Sequence, residues 1–134
     1  MNLKKFIREN KQQMTILVPF KGIFTIELVY TDRPEMNKML ELSKTRRWVK
    51  HQEIETLDDD LFNRQLASRI RAWTGLTLGK LADMVNIDIS GENPDTEVPY
   101  SVGNAEMLVS EVYGLNNFIR ETITDLQIFR EKKL

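Results

Sequence analysis

The sequence predicts an α+β fold in which helices prevail: an N-terminal β-hairpin followed by about five helices packed around a central helix over residues 58–74. Three observations carry this reading. Two strand-like runs, 14–20 and 23–31, are joined by Lys21-Gly22. Phe62, Leu66, Ile70 and Trp73 then fall at helical spacing, widened by Leu61 and Ala67, which makes one apolar face of about four turns. The remaining helical stretches are separated by short breaks rich in Gly, Asn, Asp and Pro.

The 134 residues suit one domain, 1–134, with residues 1–12 as a loose N-terminal arm. Hydrophobic content of 41% and charged content of 29% are ordinary for a globular protein. A net charge of −1 argues against a general polyanion binder, which needs a positive surplus. The absence of cysteine removes disulfides, thiolate metal sites and cysteine nucleophiles, and fits an intracellular protein. No apolar run approaches the roughly 20 residues that span a bilayer, and the N-terminus lacks a signal-peptide core. The chain is therefore expected to be soluble and cytoplasmic, with no membrane partner.

Taken in order, residues 3–10 fit a short helix or an arm, with Leu3, Phe6 and Ile7 as its buried edge. In the second run Phe24, Ile26, Leu28 and Tyr30 alternate with Thr25, Glu27, Val29 and Thr31, the period of a strand. Gly22 supplies the positive φ of a tight hairpin, and Pro19, lacking an N–H, marks the first strand as an edge. A lone hairpin is marginal in water, so it needs a helix or another strand, in this chain or in a second subunit. Asp32 and Glu35 have capping-box spacing and Pro34 suits a first turn, so a helix runs from there to about Arg46 with Met36, Met39 and Leu40 inward. Residues 47–55 place Trp48, Val49 and Ile54 among charges and read as a loop or a helix extension.

For the central helix, Thr56 is the expected N-cap, Asp58, Asp59 and Asp60 favour the positive end of the dipole, and Gly75 closes it. A short helix spans 77–85, a loop 90–99, and Ser101 caps a helix that Gly114 ends. The last helix, 115–131, carries Leu115, Phe118, Ile119, Thr122, Leu126 and Phe129 on one side. Ile123 and Ile128 fall outside that stripe, so this helix is either deeply buried or binds something.

No catalytic set is visible. The single histidine, His51, has charged neighbours and reads as a surface residue. Asp58–Asp60 point in different directions on a helix and do not converge on a metal. Asn86, Asp88, Ser90, Gly91 and Glu97 have the spacing of a calcium loop, but Asn93 and Pro94 break the pattern and the next helix starts too late. Residues 76–90 look like the first half of a helix-turn-helix, with Leu81-Ala82 as the packing pair. The following chain is acidic, and 83–111 holds no Arg or Lys to meet phosphate. A small DNA-binding regulator built on 76–90 is the alternative reading. No phosphate loop occurs, and no cofactor or metal is expected. The methionines read as core fillers or, alternatively, as an adaptable binding surface.

Two stretches together resemble the tail assembly chaperones of tailed bacteriophages. One is Ala72-Trp73-Thr74-Gly75-Leu76, similar to the family's Trp-x-Gly at a helix end. The other runs from Gly91-Glu92 to Val98-Pro99-Tyr100-Ser101, similar to its acidic loop and Val-Pro-Phe/Tyr-Ser/Thr lead into a helix, here continuing to Leu108. Val29 to Glu35 also resembles the family's strand leading into Arg-x-Glu and a helix. Residues 77–86 are a departure, standing as an insertion between the two motifs. The resemblance implies a non-enzymatic protein that binds the tape measure protein and keeps it soluble before the tail tube polymerises. It further implies a frameshift-extended form as a partner, for which Lys132-Lys133 fits a slippery A-rich stretch. The hairpin's need for another strand separately leaves a homo-oligomer open as a partner. It marks Trp73, Gly75, Pro99 and Ser101 as structural. Phe118, Ile123, Ile128 and Phe129 on the last helix are the expected client contacts.

Overall fold

The computed structural model describes residues 1–6 and 14–131. Its architecture is α+β, with a three-stranded antiparallel sheet, a separate two-stranded ribbon and six α-helices among the described residues. Strands β1 (Thr15–Phe20) and β2 (Phe24–Val29) form the hairpin read from the sequence. Lys21 at φ 51° and Gly22 at φ 70° make the two left-handed central positions of its turn, and the Ile23 N–H donates to the Phe20 carbonyl at 2.9 Å. β1 is an edge, as Pro19 requires. The third strand that the hairpin needs comes from the same chain.

That strand is β5 (Ile70–Thr74), and it corrects the expected 58–74 helix. The helix over this stretch, α2 (Asp59–Ala67), is only half as long, and Trp73 stands on a strand. The cause is a bulge. Leu28 pairs with Ile70 and Glu27 with Ala72, leaving Arg71 as an extra residue. A bulge shifts the side-chain phase by one, so Ile70 and Trp73 both face the core at a spacing of three and mimic a helical stripe. Asp58, not Thr56, is the N-cap, accepting from the Leu61 N–H at 3.1 Å. Gly75 does take a positive φ, 78°, but it closes β5 rather than a helix.

Helix α1 (Arg33–Leu42) starts as expected, with the Asp32 carboxylate accepting from the Glu35 N–H at 2.9 Å. It ends four residues early, at Ser43, whose hydroxyl donates to the Met39 carbonyl at 2.6 Å. Arg69 ties the corner after α2 to α1 through Glu35 at 3.0 Å. Helix α3 (Leu78–Met84) is capped by Thr77 and α4 (Val102–Glu111) by Ser101, which accepts from the Asn104 N–H at 3.0 Å. No helix lies between α3 and α4, so the helix-turn-helix unit proposed for 76–90 is not formed. In the acidic loop, the Asp88 carboxylate accepts from the Ser90 N–H at 2.9 Å and Asn93 from the Asp95 N–H at 2.9 Å, which folds it into local turns. The α3 segment is seated on this loop. A Cβ on Gly79 would stand 3.2 Å from Pro94.

The expected 115–131 helix is two helices, α5 (Leu115–Ile123) and α6 (Leu126–Glu131). Asp125 opens the second, accepting from the N–H groups of Gln127 and Ile128. At the N-terminus, Leu3–Phe6 is one 3₁₀ turn. Leu3 and Phe6 are exposed rather than buried, and Ile7 with the rest of the expected arm lies outside the described residues.

One apolar core joins Ile16, Val18 and Phe20 of β1, Ile26 and Leu28 of β2, and Phe62 and Leu66 of α2 with α4, α5 and Phe129 of α6. Shortened as it is, α2 contacts α1, α4 and α5.

Candidate partner-binding surface

Residues 44–57 form a two-stranded β-ribbon in place of the helix end and loop that their sequence predicts. Strands β3 (Lys44–Val49) and β4 (Gln52–Leu57) pair with each other in unbroken register. Every residue of both strands is exposed, and neither belongs to the core cluster. The tip is a two-residue turn in which Lys50 at φ 49° and His51 at φ 67° both take left-handed conformations without glycine. His51 is exposed there, as expected. The root is held by two helix ends. Ser43 closes α1, Asp58 opens α2, and the Asp58 N–H donates to the Ser43 carbonyl at 2.8 Å.

The register divides the side chains between two faces. Lys44, Arg46, Trp48, Glu53, Glu55 and Leu57 share one. On it, Arg46 reaches Glu41 at 2.7 Å and Glu55 at 3.1 Å, and Lys44 reaches Glu41 at 3.0 Å. The other face carries Thr45, Arg47, Val49, Gln52, Ile54 and Thr56, with one charge and four β-branched side chains. Trp48, 73% exposed, stands near the tip.

The ion network gives the ribbon a pH dependence. The hydrogen bond and charge of Lys44, then Arg46, hold the Glu41 carboxyl below its ordinary range. The hydrogen bond and charge of Glu41, then the charge of Glu55, raise Lys44. A depressed carboxyl contributes stability above its unfolded pKa that is lost as pH falls through the folded value. A raised ammonium contributes stability below its unfolded pKa that is lost as pH rises through the folded one. The ribbon is therefore expected to be most ordered at neutral pH. It loosens as pH falls below the ordinary glutamate value of about 4.3, while the body stays folded. Amide chemical shifts of 44–57 against those of β2 check this. The groups are solvent-exposed, so added salt shrinks the effect.

The four residues expected to contact a client lie elsewhere. Ile123 is fully buried and Phe129 is 2% exposed, so neither is available in the folded chain. Phe118 is half-buried against Phe20, with ring centroids 5.2 Å apart, and Ile128 is half-buried. Leu115, Ile119 and Ile123 recur every four residues on α5 and are all fully buried, and Phe129 is buried on the separate helix that Asp125 opens. Phe129 meets Tyr30 at 5.4 Å, and the Thr31 N–H donates to the Ile123 carbonyl at 2.8 Å. The apolar surplus of the last helices is used internally.

Of the four residues expected to be structural, Trp73 and the 98–101 segment come together. The Trp73 Nε1–H donates to the Val98 carbonyl at 2.8 Å, and its ring meets Tyr100 edge-on at 5.2 Å. The Tyr100 hydroxyl donates to the Ile70 carbonyl at 3.1 Å, and Asn104 Nδ2 donates to the Pro99 carbonyl at 2.9 Å. The Val98 N–H also donates to the Leu76 carbonyl at 2.8 Å. The segment before α4 is thus laced to β5. Lys80, in the inserted stretch, donates to the carbonyls of Ile23 and Gly75 at 2.8 and 2.9 Å, so this segment braces the hairpin turn.

Beside the ribbon root lies a cleft of about 310 Å³ between α2 and α5, where Arg120 covers the Phe62 ring at 5.2 Å. Its polar lining is Asp59, Asn63, Asn116, Asn117 and Arg120. Among the described residues no three His, Cys, Asp or Glu side chains stand close enough to hold a metal ion. Among the same residues no helix is long and apolar enough to cross a membrane. The chain matches no family model, no curated protein and no solved structure.

Proposed function

We propose that this protein is a tail assembly chaperone of a tailed bacteriophage, working in the host cytoplasm without catalysis. It binds the tape measure protein and keeps it soluble until the tail tube polymerises. The observation that carries the binding half of this reading is the ribbon. Residues 44–57 contribute no side chain to their own core, yet they carry Trp48, Val49 and Ile54 at the surface. A two-stranded ribbon alone in water is marginal, and apolar side chains held on it gain burial when a partner covers them. The face of Val49 and Ile54 bears little charge and suits the apolar side of a helix. Many such contacts, each weak, hold a long client when repeated along it. The chaperone half rests on the resemblance of the Trp73–Gly75 and Val98–Ser101 segments, which supports a fold role for them, and on the absence of a catalytic set among the described residues. The frameshift-extended form belongs to the same proposal. Lys132 and Lys133 lie outside the described residues.

Co-expression with the long helical protein encoded just downstream tests the reading. The expected result is a client that becomes soluble and elutes with this chain. A client that stays insoluble while this chain elutes alone overturns it.

A further inference from the structure

We propose that the ribbons of successive copies of this chain pair edge to edge, β4 of one copy beside β3 of the next, in a head-to-tail assembly. The inference goes beyond the chaperone reading. It concerns the ribbon's edges rather than its faces, and it stands or falls independently of any client.

In a two-residue hairpin loop the flanking pair, here Val49 and Gln52, exchanges hydrogen bonds, and bonded and non-bonded pairs alternate from there. The N–H and C=O groups of Lys44, Arg46 and Trp48 on β3 therefore point outward from one edge. Those of Glu53, Glu55 and Leu57 point outward from the other. Each edge is a row of open donors and acceptors that another strand can pair with. The main sheet treats its edge differently, since Pro19 removes a donor from β1. The ribbon has no proline, no glycine and no bulge in its strands.

Charge then selects the partner edge. β3 carries Lys44, Arg46 and Arg47, and β4 carries Glu53 and Glu55. Two β3 edges repel each other, and so do two β4 edges, because like charges across neighbouring strands are destabilising. A β4 edge beside a β3 edge is attractive. Glu53 and Glu55 then share a face with Lys44 and Arg46 of the neighbouring copy, as they already do within one ribbon. Ribbons standing side by side with their tips in one direction bring β4 antiparallel to the next β3, which continues the alternation of the hairpin itself. Such a contact joins two different surfaces, so it repeats from copy to copy and closes into a ring where the rotation allows.

Edge-blocking variants test this with the full chain. Glu53→Pro removes an outward N–H from β4, and Trp48→Pro removes one from β3, each at an edge position that tolerates proline. Sedimentation of the wild type at low salt should give particles of several chains whose mass falls on dilution. Each variant alone should sediment as a single chain. An equimolar mixture should form a two-chain particle and stop there, because one open edge of each kind remains. Amide exchange on the wild type gives a second readout that needs no variant: Arg46, Trp48, Glu53 and Glu55 should slow on assembly. A wild type that sediments as one chain at every concentration overturns the proposal. So does one variant that pairs with itself, a mixture that stays as single chains, or exchange at those four amides that ignores assembly.

Discussion

Truncating Trp73 to alanine is expected to lower the unfolding free energy by about 3–5 kcal/mol, the range for removing a buried aromatic side chain. The ring is 8% exposed and belongs to the core cluster. Its loss leaves the Val98 carbonyl without the Nε1–H donor and Tyr100 without its edge-on partner. The segment leading into α4 then loses its main anchor on β5. Set against a total stability of about 5–15 kcal/mol for a domain, that is enough to unfold a substantial fraction of the chain. Trp73→Phe separates the two contributions. It keeps an apolar ring and loses the N–H, and a single hydrogen bond is worth about 0.5–1.5 kcal/mol. Urea unfolding followed by far-UV circular dichroism measures both. A Trp73→Ala protein within 1 kcal/mol of wild type would contradict the clamp.

Ile123→Asp is expected to have a larger effect still. Ile123 is fully buried at the end of α5, where its carbonyl accepts from the Thr31 N–H. Replacing it loses a filled core site, about 2–5 kcal/mol for truncation alone. It also places a carboxylate in the buried core, a further cost that either shifts its pKa upward or opens the core. The expected outcome is a chain without cooperative unfolding, insoluble on expression. Ile54→Asp makes the contrast. Ile54 is 36% exposed on the ribbon, and surface substitutions of this kind usually stay within about 0.5 kcal/mol. The two isoleucines thus separate a folding role from a binding role. A folded Ile123→Asp protein that has lost only its client would restore the last helices as the contact surface.

Single-residue signals were legible at Gly22, Asp32 and Ser101, which each complete a turn or a cap, but not at the start of α2, where Asp58 rather than Thr56 is the cap. Pro19 sits on the edge that it dictates. The longer readings failed for identifiable reasons. Leu66, Ile70 and Trp73 keep helical spacing across a corner, because the bulge at Arg71 re-phases a strand into the same interval. The break at Asp125 was legible in principle, since an aspartate that caps the next two amides is an N-cap signal. It was overridden by an apolar pattern that runs through it.

The ribbon was hidden for a different reason. Its turn, Lys50-His51, takes a conformation that glycine and asparagine favour, and nothing in those two residues announces it. Its strands carry charge on both sides of Trp48, so the alternation of Thr45, Arg47 and Val49 reads as a solvated stretch. A strand that serves its own fold alternates apolar and polar residues. One that buries nothing has no such constraint, and this is why the candidate binding surface was the part least visible in the sequence. The pairing of Trp73 with Val98 and Tyr100 was implied only by their joint resemblance to one family, since their separation along the chain says nothing about contact.

In the proposed function the ribbon binds the partner and the body carries the ribbon. The most direct test is co-purification of the tape measure protein with a Val49→Asp/Ile54→Asp variant whose thermal midpoint matches the wild type. This folded protein should leave the client insoluble, with recovery reduced at least tenfold. Undiminished co-purification by the same variant would contradict it and return the search to the rest of the surface.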